Sequence, residues 1–144
     1  MNRSSPFALV PDWGVVPLRL GAGIVFVMHG YQKLVIFGID GTTNFMAGVG
    51  IPAPQVAAVL VTALELLGGL ALIVGLFTKW SALLLAGDMT VAVLAVKLKG
   101  GFFAPQGAEF ELTLLAALLT LAATGPGGFS LDAARAAKLR SAGV

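Results

Sequence analysis

The chain is expected to fold as an all-α membrane protein, a four-transmembrane-helix bundle, and three features lead there. Hydrophobic residues fill 58% of its 144 positions and charged residues 11%, less than half of the ~25% usual in soluble domains. The mean hydropathy of +0.95 leaves more apolar surface than a soluble fold of this size can hide. The apolar positions also gather into four runs whose ends carry clusters of Pro and Gly, where helices break.

The first run covers about residues 15–34, is interrupted by Arg19, and closes in His29-Gly30-Tyr31-Gln32-Lys33. The second, about 55–77, follows Gly50-Ile51-Pro52-Ala53-Pro54 and holds a single charge, Glu65, near its middle. A helix of about 24 residues rises roughly 36 Å, enough for a ~30 Å hydrocarbon core. The third, about 80–97, contains Asp88, and the fourth, about 108–124, is stopped by Gly125-Pro126-Gly127-Gly128 before a tail over 125–144. Thr78-Lys79 reads as a tight link, which makes the second and third helices antiparallel neighbours. Between the first two runs, Val35–Gln55 mixes Phe37, Phe45 and Met46 with turn formers. That segment fits a short helix lying at the interface or re-entering as a cap. Residues 1–144 are therefore read as one membrane domain with no room for a soluble catalytic module.

Composition also excludes several chemistries. With no cysteine, the chain by itself supports no thiol–disulfide exchange, cysteine–metal site or iron–sulfur cluster. A single histidine, His29, rules out a bis-histidine haem within one chain, and no metal or flavin site is recognisable. A net charge of +2 fits the basic bias of cytoplasmic loops rather than nucleic-acid binding. The residues before Pro11 and Asp12 lack a long apolar stretch, so a cleaved signal peptide is not expected. With four spans, Arg3, Lys79, Arg135, Lys138 and Arg140 share one side, against Lys33, Lys97 and Lys99 on the other. The excess puts both termini in the cytoplasm.

That orientation gives each charge a depth. Glu65 and Asp88 fall near the midplane, where an ionised side chain costs about 2.5–3.5 kcal/mol, so both are expected to face the bundle interior. Arg19 sits a turn inside the cytoplasmic end, either snorkelling or pairing with one of those acids. His29, Lys33, Lys97, Lys99, Glu109 and Glu111 gather toward the outer face. Glu65 shares a stripe with Ala58, Thr62, Gly68 and Gly69, small residues that let a neighbouring helix come close. On the fourth helix Glu109, Thr113, Ala116 and Thr120 line up, which places Glu109 inside and Glu111 at the rim. Lys97 lies opposite Asp88 on its helix, unless the helix unwinds near Gly100-Gly101. Each charge also has a plainer reading as a structural ion pair, a buried acid or an interfacial anchor.

In order and spacing these elements resemble the DoxX family. Leu18-Arg19-Leu20 with His29-Gly30-Tyr31-Gln32-Lys33 is similar to its first helix, followed by Gly50-Ile51-Pro52, Glu65-Leu66-Leu67-Gly68-Gly69 and Gly75-Leu76-Phe77-Thr78-Lys79. Ala86-Gly87-Asp88-Met89, Gly101-Phe102-Phe103, Glu109-Phe110, Gly125-Pro126-Gly127 and Ser130-Leu131-Asp132 complete the pattern over about residues 15–134. Two positions depart from it. Lys97 stands where histidine is common and Glu111 where proline is common, so Lys97 keeps a cation without a titration near neutral pH.

The resemblance implies a multi-pass protein of a bacterial or archaeal cytoplasmic membrane, related to the membrane subunit of thiosulfate:quinone oxidoreductase. It also implies partners of redox or sulfurtransferase type and a role in sulfur, thiol or oxidative-stress chemistry. On this reading the cofactor is a quinone, whose reduction takes two electrons and two protons and needs donors in a dry pocket. His29, Lys33, Lys97 and Arg19 are the candidate binding residues, and Glu65, Asp88 and Glu109 the candidate proton carriers. The electrons must then come from a partner. The alternative is a non-catalytic scaffold, in which the charges form a structural network or a pocket for a lipid, an anion or a partner's helix. A homo-oligomer is compatible with either.

Overall fold

The computed structural model describes residues 13–142. Arg3, counted in the charge bias, and the N-terminal stretch through Asp12 lie outside the described residues. Six α-helices and no strand are found among those described: α1 Val16–Tyr31, α2 Gly38–Gly48, α3 Pro54–Val74, α4 Thr78–Val91, α5 Glu109–Thr124 and α6 Leu131–Ser141. The protein is all-helical, as its composition predicts.

Helix ends follow local chemistry. Pro17 and Pro54 occupy the first turns of α1 and α3, where a missing N–H leaves no orphan. Gly75, at φ 68°, closes α3 in the left-handed conformation, with Leu76 N donating to Ala71 O at 2.9 Å. The turn between α3 and α4 is thus Gly75–Phe77, and Thr78-Lys79, expected as the link, instead opens α4. The antiparallel neighbourhood survives, since α3 packs on α4. Asp132 caps α4 from a distance, accepting from the N–H groups of Phe77 and Thr78 at 2.9 Å each.

Both α1 and α4 run on through π turns, Gln32–Ile36 and Ala92–Lys97, the second leading into a 3₁₀ turn at Leu98–Gly100. After the first, the chain bends by 105° into α2. The 35–55 segment therefore holds the short helix that was expected there, and α2 packs against α3.

α1, α3, α4 and α5 form the bundle, with α1 against α3, α4 against α5, and Phe26, Leu72, Leu85, Leu118 and Leu121 at its centre. Its surface is inverted relative to a soluble protein. Val56, Leu60, Leu67, Leu70, Trp80, Leu84, Leu94 and Leu119 are exposed, whereas Arg19, Thr62, Glu65 and Thr78 are buried. Pro54–Val74 and Thr78–Gly100 are long and apolar enough to cross a membrane, and the bent pair Val16–Ile36 with Gly38–Gly48 is a third candidate. α5, at 16 residues, is shorter than the ~20 of a regular span. The expectation of four spans thus has two to three segments that meet it.

The face assigned to α5 is corrected. Glu111, Leu114, Leu118 and Leu121 are buried, while Thr113, Ala116 and Thr120 are exposed. The leucines fill the core between α4 and α1, and the exposed threonines satisfy their hydroxyls on carbonyls four residues back.

Candidate functional site

A cavity of about 770 Å³ opens between the bundle and α2. Every described helix except α6 contributes to its wall, which is mostly apolar: Phe26, Phe37, Phe45, Met46, Val61, Met89 and Leu114 are among its residues. Into it come six polar or charged side chains with the chemistry to act: His29, Lys33, Glu65, Asp88, Lys97 and Glu111.

Lys33 Nζ donates to Glu65 Oε2 at 2.7 Å, tying the π turn after α1 to the middle of α3. Glu65 is 2% exposed, inside the bundle as its depth requires. Lys97 Nζ lies 3.3 Å from Glu111 Oε1 and donates to the Pro105 carbonyl at 2.7 Å. Half-buried His29 stacks on Phe110, ring centres 6.0 Å apart. Asp88 Oδ2 and Glu111 Oε2 are both buried and meet no donor.

Lys97 reaches this cavity through its π turn. In an unbroken α-helix of about 100° per residue it would sit opposite Asp88. A π turn advances each residue by a smaller angle, so the six residues Ala92–Lys97 swing Lys97 back toward the chamber. Helical regularity thus breaks earlier than the Gly100-Gly101 position at which unwinding was expected.

Two candidates stand elsewhere. Arg19 is 2% exposed, and its guanidinium donates to the carbonyls of Pro126 and Phe129. It pairs with neither Glu65 nor Asp88 and does not line the cavity; it clasps the chain that follows α5 to the far end of the bundle. Glu109 faces a separate shallow surface pocket with Phe102 and Phe110, and its Oε1 accepts from Ala104 N at 2.8 Å. The rim and interior roles expected of the two α5 acids are therefore exchanged. Glu111 is the cavity residue that a small-residue stripe could not find. The signal was the leucine spacing Glu111, Leu114, Leu118, Leu121, which marks the core face.

The Arg19 clasp carries its own expected result. Arg19→Glu removes two charge-assisted hydrogen bonds and sets a carboxylate against two carbonyls, and should lower stability by about 3–6 kcal/mol. Because its partners are carbonyls, neither Glu65→Lys nor Asp88→Lys should restore it. Thermal unfolding of the purified variants in detergent decides, and recovery in either double variant would return the Arg19–acid pairing.

Among the described residues no three His, Asp or Glu side chains converge in a way that could hold a metal ion. A family model described as DoxX matches residues 14–98. The chain belongs to the DoxX family. All six cavity residues but Glu111 fall inside the matched stretch. Among DoxX-like relatives, the chain is 36% identical over 119 residues to "Putative oxidoreductase CatD" of Bacillus subtilis, covering 83% of this chain and 84% of that protein. It is 30% identical over 120 residues to "Inner membrane protein YphA" of Escherichia coli, with 79% and 84% covered. A second Escherichia coli protein, "Inner membrane protein YqjF", is 34% identical over 126 residues, with 84% and 91% covered. No solved structure matches the chain.

Proposed function

We propose that this DoxX protein is the membrane subunit of a quinone-linked redox system and that the cavity is its quinone site. The observation carrying this reading is the cavity itself: about 770 Å³, apolar over most of its wall, with ionisable side chains converging in it. Such a site suits a ligand with an apolar body and a polar head. The orphaned oxygens of Asp88 and Glu111 fit a head that forms hydrogen bonds. The relative named as an oxidoreductase supports redox work, and the two named as inner membrane proteins support that location.

A bound quinone supplies two-electron, two-proton redox chemistry. The protein's own groups bind, orient and move protons. Lys33, Lys97 and His29 hold the polar head, each ammonium kept in place by its carboxylate. Asp88 exchanges protons at its free Oδ2, with Glu65 beside the Lys33 ammonium as the next stop. Phe37, at the bend before α2, and Phe45 and Met46 of α2 give the chamber its apolar wall on that side. Electrons enter from a partner protein of redox or sulfurtransferase type. The basic residues Lys79, Arg135, Lys138 and Arg140, on α6 and the start of the α4 it caps, support a cytoplasmic location for that end and an outer-leaflet location for the cavity.

One observation favours the scaffold reading. Both Lys–Glu pairs join different helices, so each also works as a clamp. Mass spectrometry of the lipid fraction retained after mild-detergent extraction separates the two. Stoichiometric quinone in the wild type, lost in Glu65→Gln and His29→Ala, is the expected result. Folded protein that retains no quinone in any sample moves the assignment to a scaffold.

A further inference from the structure

Glu111 does more in this cavity than hold Lys97. Its residue is 9% exposed, its Oε1 faces the Lys97 ammonium, and its Oε2 is buried without a donor. Asp88 Oδ2, in the same chamber, is in the same condition. Burying an acceptor without a donor is unfavourable, so each oxygen is set to take one from a ligand.

Among the charged side chains of the chamber, acids outnumber cations. Three carboxylates, Glu65, Asp88 and Glu111, stand against two ammonium groups. Lys33 is engaged by Glu65, and Lys97 by both Glu111 and the Pro105 carbonyl. One acid is left without a cation. A head group made of carbonyl oxygens only accepts hydrogen bonds and leaves Asp88 Oδ2 and Glu111 Oε2 unmet. A head group bearing two hydroxyls donates to both.

Resting on the redox reading above, we propose that Asp88 and Glu111 make the cavity selective for the reduced, hydroxyl-bearing form of its quinone, with Glu111 as the specificity-determining residue. A hydrogen bond to a carboxylate held beside an ammonium, as Glu111 is beside Lys97, is strong enough that the reduced form should bind about tenfold tighter or better. Tighter binding of the reduced form raises the midpoint potential of the bound couple, by about 30 mV for each tenfold in a two-electron couple.

The test is anaerobic isothermal titration of the purified full chain in nanodiscs with decylubiquinone and, separately, with chemically reduced decylubiquinol. The wild type should favour the quinol about tenfold or more. Glu111→Gln turns the acceptor pair into an amide that also donates, and should bring the ratio close to one; Asp88→Asn should lower it as well. The wild-type comparison needs no variant, so a variant that does not fold leaves the test intact. Equal or tighter binding of the oxidised form by the wild type overturns the selectivity while leaving the quinone site standing. A wild-type preference that persists in both folded variants overturns the roles of Asp88 and Glu111. Binding of neither form removes the quinone site and this inference with it.

Discussion

Glu65→Leu should lower the stability of the purified protein by about 3–5 kcal/mol, the range for removing one partner of a buried ion pair. Glu65 is 2% exposed and sits 2.7 Å from Lys33 Nζ, so the substitution leaves an ammonium facing a largely apolar chamber without its counter-charge. Losing the charge is the main effect, because leucine fills a similar volume. Replacing the pair together, Lys33→Met with Glu65→Leu, should therefore recover most of the loss, since an apolar pair of matched size is often neutral. Thermal unfolding in one detergent reads all three proteins. A double variant no more stable than Glu65→Leu would show that the carboxylate matters through something other than Lys33. Quinone retention should stay lost in the double variant even where stability returns, which separates the clamp from the site.

Gly69→Leu should abolish the folded bundle. α1 and α3 touch backbone to backbone at this level. A Cβ on Gly69 would lie 2.8 Å from Gly23 O and 2.8 Å from Val27 N, and neither atom belongs to a side chain that could turn aside. Gly69→Ala already forces the helices apart and should destabilise by about 1–3 kcal/mol or more, the usual scale of overpacking. Leucine adds three carbons to the same gap and should remove the monodisperse peak in size-exclusion chromatography. Gly21→Ala, on the same α1 helix but with nothing within 4 Å of its Cβ, is the matched control and should leave stability unchanged or slightly raised. A Gly69→Leu protein that elutes and melts like the wild type would mean that α1 and α3 are not in this contact.

The glycine contact was within reach of sequence reasoning, because Ala58, Thr62, Gly68 and Gly69 lie on one stripe with Glu65, and all are buried. The same reasoning misled on α5, where it chose Thr113, Ala116 and Thr120 over the leucines. A membrane helix places small residues inside only where a neighbour's backbone comes close. α5 instead packs its leucines between α4 and α1, and no backbone approach calls for its small face. Arg19 misled for another reason. A cation near the midplane acids invites pairing with them, yet carbonyls at Pro126 and Phe129, more than a hundred residues along the chain, satisfy it. Residue spacing along one helix contains nothing about such a partner.

Sequence alone determined that the protein is all-helical and built for a membrane, which family it resembles, and that Glu65 faces inward. Those properties follow from composition, from helical periodicity and from the energy of placing a charge in hydrocarbon. Only the tertiary structure decided which charges meet. The π turn after α4 rotates Lys97 into the chamber that Lys33 enters from the end of α1, a 105° bend lays α2 across it, and leucine packing turns Glu111 inward and Glu109 out. Each depends on a shift in helical phase or on how one helix sits against another, and neither quantity is carried by an unbroken 3.6-residue repeat.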